Sequence, residues 1–206
     1  MFESVKWLFF DVGSTLIDER EAYVHRFQEI ASQAGIPYEY VSRTAVAYYK
    51  ENKQGDKVCA KQFGTSLPKW HSDYERLYPD AAHCLAVLSK KYQIGIIANQ
   101  LPGTAERLAR HGILQYIGLV VASAEEGVAK PDPRIFEIAL SRSGCLPEEC
   151  IMIGDRIDND ILPANQMGMH TIWIKQGFGQ YWNISDNFEK PNAVVNSLTE
   201  LSDLLL

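Results

Sequence analysis

Asp11, Asn99, Asp155 and Asp160 each follow closely on an apolar run, and Lys130 lies just before a helix start at Asp132-Pro133. Ligands of open parallel sheets bind beyond the carboxyl ends of the strands, which is where these side chains fall if the apolar runs are strands. Three carboxylates and one ammonium at a shared edge would suit a magnesium ion and a phosphate group. Magnesium takes hard oxygen ligands, and phosphate takes cations and backbone N–H donors. Singly, an aspartate after a strand serves as a turn former or helix cap, and a lysine as a solvated charge. Recurrence at four separate strand ends is what points to a site.

The elements that must position these residues are legible from periodicity. Apolar runs at 6–10, 94–98, 119–122, 150–153, 171–174 and 193–195 read as short strands. Between them, helical spacing predicts helices over 104–111, from Asp132-Pro133 to near Gly144, and over 159–167, with a leucine-rich helix at the C-terminus. Asp80 is placed to cap a helix carrying Cys84, Leu85 and Leu88. Short apolar strands alternating with amphipathic helices predict an α/β fold, a Rossmann-like parallel sheet with helices on both faces. Residues 17–78 interrupt that rhythm and read as an inserted α-helical cap on a core of 1–16 and 79–206. Within the insert, helices are expected from Glu19 to Ala34, closed by Gly35, and over 39–52. Residues 54–66 read as loop or short helix, and 69–78 as a further helix.

Composition narrows the function classes. With 206 residues, 46% of them apolar, the chain can bury a core without disulfides or a structural metal. A net charge of −6 with no basic run argues against nucleic acid or a polybasic membrane contact. Cys59, Cys84, Cys145 and Cys150 form no CxxC, as expected for reduced thiols in a cytoplasmic core. The run ending at Asp11 is too short for a signal segment or a membrane span. Oligomeric state leaves no trace in the sequence.

The same residues carry a family resemblance. Asp11-Val12-Gly13-Ser14-Thr15-Leu16, Lys130-Pro131-Asp132-Pro133 and Gly154-Asp155-Arg156-Ile157-Asp158-Asn159-Asp160 resemble motifs one, three and four of the haloacid dehalogenase (HAD) superfamily. Ile96-Ile97-Ala98-Asn99 stands where motif two belongs. The resemblance implies a magnesium-dependent phosphohydrolase acting on a small phosphorylated metabolite. Asp11 would be the nucleophile, forming an aspartyl-phosphate, and Lys130 would bridge it to the phosphoryl oxygens. Asp11, the Gly13 carbonyl, Asp155 and Asp160 would serve the metal, and Ala98, Asn99 and Lys130 the phosphate.

Two positions depart from the family pattern. Gly13 stands where phosphatases of the family carry a second aspartate, which protonates the leaving oxygen and then activates water. Ala98 replaces a hydroxyl residue. A slow or leaving-group-selective enzyme is therefore expected, with a degenerate magnesium- and phosphate-binding regulator as one alternative and a 2-haloacid dehalogenase as another. Introducing Gly13→Asp is expected to raise alkyl-phosphate turnover. Asp18, Glu19 and His25 read as exposed hinge charges, with replacement of the missing acid as the other reading. Trp70-His71 and Tyr48-Tyr49 face either substrate or packing, and Gly177-Phe178-Gly179 reads as a loop near the active edge.

Overall fold

The computed structural model describes residues 2–206. β1 (Trp7–Phe10) leads through β2 (Ile17–Asp18) into α1 (Arg20–Ala34), α2 (Tyr38–Lys50) and α3 (Gly55–Gln62), and the chain returns by β3 (Arg76–Leu77). Helices and strands then alternate through α4 (Ala81–Leu88), β4 (Gln93–Ala98), α5 (Thr104–Arg110) and β5 (Leu119–Ala122). The short α6 (Ser123–Glu126), α7 (Pro133–Ser143), β6 (Cys150–Gly154), α8 (Leu162–Gln166), β7 (His170–Ile174), β8 (Ala193–Val195) and α9 (Leu198–Leu205) complete it.

Six strands among the described residues form one parallel sheet in the order β5-β4-β1-β6-β7-β8. Successive side chains of a strand point to opposite faces, so β1 serves two cores. Leu8 and Phe10 join Leu85 and Leu88 of α4 and Leu201 and Leu205 of α9 on one face. Phe9 joins Phe136 and Ala139 of α7 and Ala164 of α8 on the other. With both faces covered, the strands carry near-continuous apolar runs, and β1 and β6 sit mid-sheet with their carboxyl ends side by side.

The segment between β1 and α4 has its own interior. Phe27, Ile30, Val41, Ala45 and Cys59 from α1, α2 and α3 form a separate apolar cluster. The chain enters and leaves it through an antiparallel ribbon, Ile17–Asp18 against Arg76–Leu77.

Three local expectations differ from the structure. Residues 69–78 hold a single 3₁₀ turn, Ser72–Tyr74, and then β3, not a helix. Their backbone groups are satisfied by the ribbon, and Tyr78 donates to the Leu16 carbonyl at 3.0 Å, which no helix could do. Asp80 does not cap α4; its carboxylate accepts from the Thr199 N–H at 3.0 Å and ties the start of α9 to that of α4. The helix expected over 159–167 is preceded by a wide π-type turn, Ile157–Ile161, in which the Ile161 N–H reaches back five residues to Arg156. Such turns re-aim side chains at functional sites, and this one carries Asp160.

Candidate active site

The carboxyl ends of β1, β4 and β6 open on a cavity of about 180 Å³. Asp11 follows β1, and its N–H continues the sheet pairing by donating to the Ile153 carbonyl at 2.9 Å. Asp155 follows β6, Asp160 comes from the wide turn, and Lys130 from the loop ahead of α7. All four line the cavity, together with Gly13 and Asn99. Ala98 does not: it is fully buried in β4 and paired with Ala122.

Lys130 is the hub. Its ammonium donates to Asp11 Oδ1 at 2.8 Å and to Asp160 Oδ1 at 2.5 Å, with all three residues buried. Burial works against that charge, but Asp11 and Asp160 together overcome it and hold the Lys130 pKa above the usual lysine value. Asp160 is committed on its other oxygen as well, where Oδ2 accepts from the Arg156 N–H at 3.0 Å. The Asn99 side chain also has a structural task. Its amide donates to the Lys130 carbonyl at 2.8 Å and accepts from the Lys130 N–H at 2.7 Å, and so holds the lysine loop.

Negative charge outweighs positive here. Ligand oxygens of Asp11, Asp155 and Asp160 all lie within 4.8 Å of one another around a single ammonium. Burial, followed by the charges of Asp11 and Asp160, pushes the Asp155 carboxyl well above the usual range. Burial likewise raises Asp160, opposed by Lys130, to about 6. The Gly13 carbonyl adds an acceptor that no hydrogen bond reaches among the described residues. A buried, all-oxygen, over-charged donor set of this kind fits a hard divalent cation such as magnesium.

Glu19 lies above Gly13. A Cβ built on Gly13 would stand 2.5 Å from Glu19 Oε1 and 2.9 Å from Oε2, so the glycine is what makes room for this carboxyl. Ser14, held in the left-handed region at φ 54°, donates its hydroxyl to Glu19 Oε2 at 3.0 Å. Burial, then the charge of Glu75, raises the Glu19 pKa to about 8, with the Ser14 bond opposing. Its two companions at the hinge behave otherwise. Asp18 accepts from the Arg20 N–H at 2.9 Å, and His25 stacks on Tyr74 with ring centroids 3.6 Å apart.

The loop after β7 does more than border the edge. A Cβ on Gly177 would meet Ser14 Oγ at 2.5 Å, and one on Gly179 would meet the Asp155 carbonyl oxygen at 2.2 Å. Two glycines thus let this loop press directly on both sides of the site. Between them Phe178 projects among Tyr23, Phe27 and Tyr49 of α1 and α2, stacking on Tyr49 at 4.7 Å. Tyr49 is therefore packing, as is Trp70, which lies edge-on to Tyr23 and donates to Glu75 at 2.7 Å. His71 bonds Glu29 instead of facing the cavity. Tyr23, Gln100, Arg156 and Asn159 line the cavity without having been singled out from sequence for that place. Arg156 and Asn159 were visible only as parts of a motif.

Comparison with known proteins places this geometry. Residues 5–168 match the family model described as haloacid dehalogenase-like hydrolase. The chain is 36% identical over 134 residues to the glyceraldehyde 3-phosphate phosphatase of Methanopyrus kandleri, a match covering 64% of this chain but only 58% of that protein. The glyceraldehyde 3-phosphate phosphatase of Pyrococcus furiosus is 30% identical, with 98% of this chain and 93% of that protein covered. A crystal structure of a predicted phosphoglycolate phosphatase from Haemophilus somnus superposes over 100% of both chains with a TM-score of 0.74. At 17% identity that likeness shows the fold alone. No helix among the described residues is long and apolar enough to cross a membrane.

Proposed function

The chain belongs to the haloacid dehalogenase-like hydrolases, and from that premise we propose that it hydrolyses the phosphate ester of a small metabolite through an aspartyl-phosphate on Asp11. One observation carries the reading: a carboxylate at the end of the central strand, bonded to a buried lysine, inside an oxygen-rich cavity with surplus negative charge. Lys130 engages Asp11 Oδ1, and no protein group engages Oδ2 among the described residues. That leaves one oxygen for phosphorus while the ammonium orients the carboxylate. The phosphoryl oxygens would share the Lys130 charge. Asp160 and Asn99 fix that lysine from either side, so its position is set before substrate arrives.

Asp11, the Gly13 carbonyl and Asp155 would hold magnesium, with Asp160 behind them steadying Lys130. When bound, the ion supplies positive charge against the substrate's phosphate and polarises its oxygens. The size of the cavity favours a small ester, since about 180 Å³ falls below the ~300–1,000 Å³ usual for larger ligands. Helices α1–α3, entered through the β2–β3 ribbon and joined to the core at Phe178, are assigned the part of a cap over the site.

The test is phosphate release from p-nitrophenyl phosphate and from small sugar and acyl phosphates in magnesium. Asp11→Asn should lower the rate about 10⁴-fold or more, and the covalent phosphoryl group seen by intact mass should vanish with it. A variant as fast as the parent protein would refute the assignment of Asp11.

A further inference from the structure

Breaking an alkyl phosphate ester needs a proton for the departing oxygen, and the second half-reaction needs a base for water. Gly13 cannot supply either from a side chain. Of the other proton-bearing groups around the cavity, burial holds the Tyr23 phenol well above its usual range, too weak an acid for the task, the Ser14 hydroxyl is bonded to Glu19, and the charged groups are already committed. Lys130 is bonded to two carboxylates, Asp160 has Lys130 on one oxygen and the Arg156 N–H on the other, and the Arg156 guanidinium is paired with Asp158. Asp155 belongs to the cation-binding set.

Glu19 differs from all of these. Only one of its carboxyl oxygens has a partner: Ser14 Oγ donates to Oε2, and Oε1 receives no hydrogen bond among the described residues. Oε1 is also the atom nearest the place a Gly13 Cβ would take, 2.5 Å away, on the cavity side of the motif. As the residue preceding α1, Glu19 sits where a side chain would ordinarily cap the helix, yet it makes no capping bond. Asp18 bonds the Arg20 N–H in its stead, and the Glu19 carboxyl turns back to the site. Glycine at 13 and glutamate at 19 are therefore complementary, one vacating the volume that the other fills.

We propose that Glu19 is the general acid and base of this enzyme, delivering from the residue just ahead of α1 a carboxyl that the strand itself does not carry. The inference rests on the phosphohydrolase reading above. In the first half-reaction an Asp11 oxygen bonds to phosphorus and the bond from phosphorus to the leaving oxygen breaks. Its electron pair takes the proton of the Glu19 carboxyl, yielding a neutral alcohol, the aspartyl-phosphate and a Glu19 carboxylate. In the second, Glu19 takes a proton from water as that oxygen bonds to phosphorus. The bond between phosphorus and Asp11 breaks, releasing inorganic phosphate and restoring both carboxyl groups. Because α1 is the first helix of the insert, the acid reaches the substrate from the segment that covers the site.

The experiment compares Glu19→Gln with the double variant Gly13→Asp/Glu19→Ala on an alkyl phosphate, p-nitrophenyl phosphate and acetyl phosphate. Glu19→Gln should lower alkyl-phosphate turnover about 10²–10⁴-fold. The burst of p-nitrophenol should change less than the alkyl rate, and phosphorylated protein should accumulate in the intact mass spectrum because water is no longer activated. The double variant returns a carboxyl to the same volume from the strand side, and should recover most of the alkyl-phosphate rate. An equal loss in the rate of Asp11 phosphorylation by all three substrates, or no accumulation of phosphoprotein with no rescue in the double variant, overturns the role of Glu19. Should the parent protein release phosphate from no ester and never carry a phosphoryl group on Asp11, the underlying reading fails and takes this one with it. If Asp11→Asn is inactive while Glu19→Gln matches the parent, only the assignment of Glu19 is lost.

Discussion

Two of the places where charge is buried in this molecule are built on opposite terms. In the helical insert, Arg26 meets Asp56 at 2.7 Å, Tyr49 donates to the same carboxylate at 3.3 Å, and the guanidinium lies 4.5 Å over the Trp70 ring. One cation faces one anion, and the charges match. At the carboxyl edge of the sheet, Lys130 faces Asp11, Asp155 and Asp160, with Glu19 across the cavity. There the account does not balance within the protein. A buried pair matched in charge fits a role in architecture, whereas an excess of one sign in a cleft marks a candidate binding place.

The sharpest way to break this contrast is to remove one partner from each place. Asp56→Ala strands Arg26, whose Nε already lacks a partner, and should cost about 3–5 kcal/mol in urea unfolding while leaving turnover of the folded protein within a few-fold. If instead turnover collapsed without loss of stability, the insert pair would be part of the chemistry. A second test adds magnesium. The parent protein should gain about 2.7 kcal/mol at a hundredfold excess over its dissociation constant, and Asp155→Asn should lose that gain whereas Asp56→Ala keeps it. A gain that survives Asp155→Asn would place the ion elsewhere.

Acidity gives a third. Asp160 is raised to about 6 and Asp155 is raised as well, so between the unfolded value near ~4 and the folded one the native state binds more protons. With Glu19 raised to about 8 as well, stability in chelator should therefore fall as pH rises from 5 to 8, by about 5 kcal/mol. Saturating magnesium should flatten that slope. A chelated protein that grows more stable over the same interval would show that the charge excess is not felt. The smallest effect is expected from Asp155→Asn in chelator, where loss of one repelling charge should raise the unfolding midpoint slightly, by about 1 kcal/mol or less. A clear fall would mean that Asp155 is a structural bond and not surplus charge.

The site also shows how far one sequence motif reaches. Gly13 taken alone suggests a missing group and a gain from Gly13→Asp. With Glu19 in the space above it, an aspartate there would have to expel the glutamate carboxyl, trading one acid for another. The expected gain from the single substitution is thus withdrawn, and only the exchange at both positions is informative.

Local chemistry was enough to read the frame. Apolar runs of strand length, the Asp132 cap with Pro133 behind it, and Gly35 and Gly144 at helix ends all depend on neighbours within a few residues, and the structure shows each of them. The polar residues at strand ends were legible for the same reason, since a parallel sheet sends every such end to one edge. What sequence could not decide was the use to which each side chain is put there. Asn99 grips a loop 31 residues away, Asp80 ties down a helix 119 residues on, and Glu19 turns inward instead of capping its own helix. Those outcomes depend on the volume left empty at Gly13, the left-handed backbone of Ser14 and the press of the 177–179 loop, which only folding brings together. Backbone pattern is set by near neighbours; the partner of a buried polar atom is set by whatever the tertiary fold leaves within about 3 Å of it.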